Sequence, residues 1–181
     1  MKDMYKKGES NIAWFKLAQM VSKGEKEKAL SLFKLLSYSF DDTAYILQVE
    51  GDLLWAFEDK DAFAKYQQAA FLYKKEGKLL AAVAVYEHML ALEPTNHLFL
   101  SMLLELYAML NLPEKYLEII ERVARAYNGK KLKKDQVELM LKNSFDVMVA
   151  EHSLESVRYL KDRVVMTQGL GELSKLIKAF C

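Results

Sequence analysis

The chain has little of what breaks a helix. Two prolines and seven glycines occur in 181 residues, and alternating runs of Val, Ile and Thr are missing. Sandwiches and barrels need such runs and frequent turns, so their scarcity predicts an all-α protein. Cysteine is nearly absent: Cys181 stands alone. That excludes a disulfide framework within the chain and fits a reducing compartment. Charge of one sign is missing too. Lys plus Arg number 26 and Asp plus Glu 25, whereas a general nucleic-acid binder is far more basic. Apolar runs such as "LLAAVAVY" fall well short of a bilayer, so no membrane insertion is expected. The opening "MKDMYKKGESNIAWF" lacks the apolar core of a signal peptide, which makes a cytoplasmic location the expectation.

Residue sets that carry chemistry are equally scarce. Glycines stand singly at helix ends, and "QGLGE" lacks the lysine and preceding strand of a phosphate loop. His88, His97 and His152 do not share the three- or four-residue spacing that places two ligands on one helix face. Cys181 has no neighbouring histidine or basic pair to activate it. The acidic "EDKD", Glu58 to Asp61, reads as a helix stop followed by a helix start. The basic "KKLKK", Lys130 to Lys134, reads as a solvated loop entering a helix, with no interleaved aromatics to stack on bases. Catalytic, cofactor-binding and metal-binding residues are therefore not expected, and the chain reads as no enzyme.

What the sequence does contain is helix punctuation. Ser10 or Asn11 caps a first helix to about Lys23, and Gly24 ends it. A second covers Lys26 to Ser37. Asp42 or Thr43 caps a third to about Glu58, and a fourth runs from Asp61 to about Glu76 before Gly77. A fifth covers about Lys78 to Leu92 and stops before Pro94. A sixth spans Asn96 to Leu110. Pro113 opens a seventh that ends near Asn128-Gly129. Apolar residues recur at three and four spacing: Val83, Tyr86, Met89 and Leu90 in the fifth, Tyr116, Ile119, Ile120 and Val123 in the seventh. Linkers of two to four residues make neighbouring helices antiparallel. After the polar "NGKKLKK", "KDQVELMLKNSFDVMVAEH" is an amphipathic helix. Ser153 caps another to about Val165, and "TQGLGELSKLIKAF" allows a short last one.

The segment from Tyr66 repeats after 34 residues. Tyr66 meets Leu100, Ala69 and Ala70 meet Leu103 and Leu104, Tyr73 meets Tyr107, and Gly77 meets Asn111. Tyr86 then meets Ile120, and Met89 meets Val123. Glycine and asparagine are the two residues that best tolerate a left-handed backbone, so the turn is kept as well. The first pair follows the scheme with a one-residue gap: Trp14, Leu17, Ala18 and Val21, then Gly24, Ala29 and Phe33. The 52-residue offset from Trp14 to Tyr66 leaves room for an odd helix, Thr43 to Glu58. The fourth helix accordingly reads two ways. Ala62, Tyr66 and Ala69 suit the second helix of a pair starting near Leu47 and Gly51. Tyr66, Ala69-Ala70 and Tyr73 suit the first helix of the next pair.

These residues resemble the tetratricopeptide repeat family, over about two thirds of the chain. In the best repeat the pattern is carried by Tyr66, Ala69-Ala70, Tyr73, Gly77, Ala82, Tyr86 and Pro94. The resemblance implies an antiparallel helix-turn-helix solenoid of about three such pairs. With the odd helix it would occupy residues 1–129, and residues 130–181 would form a C-terminal helical cap or extension. The double reading of the fourth helix also resembles the helical hairpins of vesicle-fusion adaptors.

The family resemblance further implies that the first helix of each pair lines a concave surface that takes a peptide or helix. Residue by residue, that surface would hold Phe15, Gln19 and Ser22, then Gln67, Phe71 and Lys74, then Ser101, Glu105 and Ala108. The lysine, arginine and asparagine clamp of the chaperone-tail binders is missing, because Phe15, Gln19, Gln67, Gln68 and Phe71 stand in its place. The implied function is a protein-protein interaction scaffold. The alternative is a dedicated secretion or assembly chaperone holding one client. Trp14 reads as core, and Trp55 is either buried beside the odd helix or exposed at the junction. The tail carries Val137, Met140, Leu141 and Phe145, too many apolar groups to stay in water. It would cap the array, fold into the groove, or pair with a second copy of the chain.

Overall fold

The computed structural model describes residues 2–151, 157–159 and 162–163. Eight helices account for most of them: α1 (Lys2–Ser22), α2 (Lys26–Ser37), α3 (Thr43–Ala56), α4 (Asp61–Lys75), α5 (Leu79–Leu92), α6 (His97–Met109), α7 (Pro113–Asn128) and α8 (Lys134–Glu151). Residues 157–159 and 162–163 are helical as well, and no strand occurs among the described residues. The protein is all-α. The rest of the helix expected from Ser153, the short last helix, His152 and Cys181 lie outside the described residues.

Most helix ends fall where the caps put them. Asp42 accepts from the Tyr45 amide at 3.0 Å and starts α3, while Asn96 accepts from Leu98 and starts α6. The first helix departs from expectation. It begins at Lys2, so Ser10 and Asn11 lie inside it rather than capping it. No proline precedes them, and Gly8 alone costs only about 1 kcal/mol against a helix already propagating.

One turn recurs along the chain. At Gly77 the Lys78 amide donates to the Tyr73 carbonyl and the Gly77 amide to that of Lys74. The same two bonds, displaced by 34 residues, close α6 at Asn111. They also close α1 at Gly24, α3 at Glu58 and α7 at Lys130. All five central residues have positive φ, from 52° to 74°. This is the Schellman arrangement, which satisfies the last helical carbonyls. Gly129 itself is right-handed, with φ −77°, so the reversal after α7 falls one residue later than the glycine suggests.

The chain divides into two compact units, Met1–Ala81 and Ala82–Cys181, and the division lies inside α5. In the first unit α1 packs on α2, α2 on α3, and α3 closely on α4. Leu17, Ala29, Phe33 and Leu53 form a buried cluster, with Trp14, Met20 and Val21 half-buried against it. Ala18 is exposed. Although it belongs to the pattern of the first pair it does not turn inward, and Trp14, Leu17, Met20 and Val21 carry the inner face of α1. Trp14 also contacts the rings of Phe33 and Phe40.

The α3–α4 pair is the tightest junction described. The Tyr66 ring lies flush on Gly51, where a Cβ would stand 2.7 Å from two of its carbons. Ala44, Ala62, Ala69 and Ala70 are fully buried on the two helices. The Tyr66 hydroxyl donates to Asp52 at 2.8 Å, that of Tyr73 to Gln48 at 3.2 Å, and Lys65 pairs with Glu50 at 2.9 Å. Burial first, and Asp52 second, push the Tyr66 phenol up from its ordinary pKa. Of the two readings of α4, its role as the second helix after Gly51 is therefore present, and the odd third helix is its packed partner.

In the second unit α6 is central. Seven of its residues, from Phe99 to Ala108, are buried. A helix apolar nearly all round must be covered on several sides. Tyr86 of α5 meets Phe99 at 6.4 Å between rings, and the Tyr107 hydroxyl donates to Glu87. Both α7 and α8 pack on α6. Every apolar position expected to be buried on α7 and α8 is buried, with Ser144 hydrogen-bonded to the Tyr116 hydroxyl at 2.8 Å between them. Burying side chains of this size is worth about 1.5–3 kcal/mol each. That gain is what draws the α8 segment onto α6.

Candidate functional site

The residues proposed to line a binding surface fall in both units. On α1, Phe15 is 64% exposed and Gln19 and Ser22 are exposed. The Ser22 hydroxyl donates to the Gln19 carbonyl, so it is bonded to its own helix. On α4, Phe71 is 63% exposed and Gln67, one turn earlier, is exposed beside it, while Lys74 is half-buried. The opposite side of α4 holds Tyr66, Ala69, Ala70 and Tyr73, all buried. The helix is thereby held rigidly with an aromatic ring in solvent. Ile12, one turn before Phe15, is exposed too. Its signal in the sequence was the three-residue spacing to Phe15.

On α6 the picture changes. Ser101 and Glu105 are half-buried, and Ala108 is buried, so Ala108 lines no surface. The cause is the central place of α6, with α8 packed along it.

Polar clusters resolve into structural roles. Asp59 of the "EDKD" stretch pairs with Lys26, and its other oxygen accepts from the Asp61 amide at 2.9 Å. The Lys26 hydrogen bond holds the Asp59 carboxyl below its ordinary pKa. Lys78 bridges Asp42 and Glu76, each at 2.8 Å, which raises its pKa. Trp55 is 40% exposed, with its ring edge-on to Phe63 at 5.7 Å, so of its two placements the exposed one holds. Among the described residues no group of three or more His, Cys, Asp or Glu is placed to hold a metal ion. No described helix is long and apolar enough to cross a membrane.

A cleft of about 690 Å³ opens in the second unit between α5 and α7. Its floor includes Leu90, Ile119 and Ala126, all buried. Arg122 and Arg125 rise from α7, and Lys131 joins them from the loop beyond. Glu87 and Glu118 stand on its lining as well. The sequence signal for this site was a pair of arginines three apart, among positions that turn inward at Ile119, Val123 and Ala126.

Comparison with family models, with curated proteins and with solved structures finds no match to this chain.

Proposed function

We propose that this protein is a non-enzymatic, tetratricopeptide-like interaction scaffold of the cytoplasm that binds a helical or extended segment of a partner protein. The observation that carries the reading is the exposed Phe71 beside Gln67 on α4, a helix whose other face is locked against α3. A ring presented on a rigid helix loses little freedom on binding and supplies the apolar anchor that a helix or strand partner uses. Phe15 and Gln19 repeat that ring-and-amide pairing on α1. The Schellman turns at Gly77 and Asn111, 34 residues apart in the register of the repeat, support the family resemblance.

The test is affinity purification from the native source, with mass spectrometry of what accompanies the chain, repeated with Phe71→Ser/Gln67→Ala. Both side chains are exposed, so the variant should keep its helical circular dichroism and lose at least about tenfold of the captured partner. Equal recovery of the same partner by an intact variant would remove α4 from the binding surface.

A further inference from the structure

We propose that the cleft between α5 and α7 is a second docking site, and that it takes an extended acidic segment of a partner protein. The lining carries three cations, Arg122, Arg125 and Lys131, against two carboxylates, Glu87 and Glu118. Both carboxylates on the lining are already engaged: Glu118 pairs with Lys115 at 2.9 Å, and Glu87 accepts from the Tyr107 hydroxyl. The three cations, Arg122, Arg125 and Lys131, have no side-chain hydrogen bond or ion pair with any described residue. Lys115 offsets Glu118, but Glu87 is bonded to a neutral phenol and keeps its charge, so three cations face one uncompensated carboxylate around an apolar floor, on a chain whose net charge is only +1. That charge is local to the cleft and does not reflect a basic protein.

Geometry selects the shape of the occupant. Arg122 and Arg125 are nearly one turn apart on α7, about 4.5 Å along the axis. Alternate side chains on one side of an extended segment are about 7 Å apart, a mismatch that two long guanidinium side chains span by fanning outward. Each presents a planar fork suited to a carboxylate. The intervening side chains of such a segment point the other way, toward the floor of Leu90, Ile119 and Ala126. An alternation of acidic and apolar residues therefore fits, and a uniformly charged strand does not. Nucleic acid fits worse. No aromatic ring among the described residues lines the cleft to stack a base.

The site is independent of the α4 surface, so the two fail separately. The probe is a fluorescein-labelled peptide of alternating glutamate and leucine, followed by fluorescence anisotropy with the full chain. Binding should weaken steeply as salt rises above about 0.1 M. Arg122→Glu/Arg125→Glu should weaken it at least about tenfold, while Lys34→Glu/Lys75→Glu, with the same change in net charge, leaves it unaltered. Phe71→Ser/Gln67→Ala should leave it unaltered as well. All these positions are exposed, and denaturant midpoints confirm that each variant is folded.

Four results overturn the proposal. The first is no binding of the peptide by the wild-type chain, and the second is binding indifferent to the arginine reversal. The third is tighter binding of a labelled single-stranded oligonucleotide than of the peptide. The fourth is a concentration-dependent dimer in sedimentation that the arginine reversal dissolves, which would assign the cleft to a second copy.

Discussion

Replacing Gly51 by alanine adds one methyl group where α3 and α4 come closest. The new Cβ would stand 2.7 Å from Cδ1 and Cε1 of Tyr66 and 3.2 Å from Cγ. Carbon atoms in good contact lie about 3.5–4.0 Å apart, so something has to move by most of an ångström. The Tyr66 ring is poorly placed to yield. It is 1% exposed, and its hydroxyl is held by Asp52. Overpacking of this kind costs about 1–3 kcal/mol. Against it, alanine is a better helix former than glycine by about 1 kcal/mol. The clash wins, with a net loss of about 1 kcal/mol, and up to about 2 if the backbones cannot part. For a chain of this length each kcal/mol is about 2–4 °C in Tm.

The assay is urea unfolding of Gly51→Ala, Tyr66→Leu and the double variant. A lower midpoint at unchanged slope reports stability alone. Leucine at position 66 removes the ring edge that meets the methyl. The double variant should accordingly be more stable than the sum of the two single losses by about 1 kcal/mol or more. Gly51→Ala equal to or more stable than wild type would show that propensity outweighs contact, and that the two helices have slack between them.

The left-handed turns allow a test of the opposite sign. Glu58→Gly and Lys130→Gly relieve φ values of 56° and should each stabilise by up to about 1 kcal/mol. Gly24→Ala and Gly77→Ala, where a Cβ meets nothing within 4 Å, should each cost about 1 kcal/mol from conformation alone. Hydrogen bonds to Lys78 and Lys26 hold the Asp42 and Asp59 carboxyls below their ordinary value of 3.8. A lowered carboxylate stabilises the fold above pH 3.8 and loses that contribution as pH falls through its folded value. Stability measured from pH 6 downward should therefore fall less steeply in Asp42→Asn and Asp59→Asn than in wild type. The solvent exposure of both pairs keeps the difference small. Phe71→Ser/Gln67→Ala should keep the unfolding free energy within about 0.5 kcal/mol of wild type, because both side chains are in solvent.

The helices were legible because local chemistry decides them. Asp42, Asn96 and Pro113 mark starts, and Gly24, Gly77 and Asn111 mark stops with the expected positive φ. Glu58 and Lys130 make the same turn without a residue that announces it. There the Schellman bonds outweigh the steric cost of a Cβ. Ser10 and Asn11 misled for a related reason: a cap residue inside a favourable run has no power to stop it. The ring-and-amide face of α4 could be read from spacing, since Phe71 falls outside the inward stripe of Tyr66, Ala69, Ala70 and Tyr73. Of the cleft only the arginine pair on α7 could be read from spacing; its floor could not, because that needs Leu90 of α5 brought beside Ile119 of α7.

The sequence alone settled that this chain is helical, where most helices begin and end, and which stripe of each turns inward. Those are properties of one helix turn at a time, set by dihedral preference and by a period of 3.6 residues. Only the tertiary structure decided that α4 locks onto Gly51, that α8 covers α6 and takes Ala108 out of reach, that the chain divides within α5, and that three cations gather around one apolar floor. Each of these depends on which burial among several equally patterned faces removes most apolar surface from water, and that choice is made between helices, not within them.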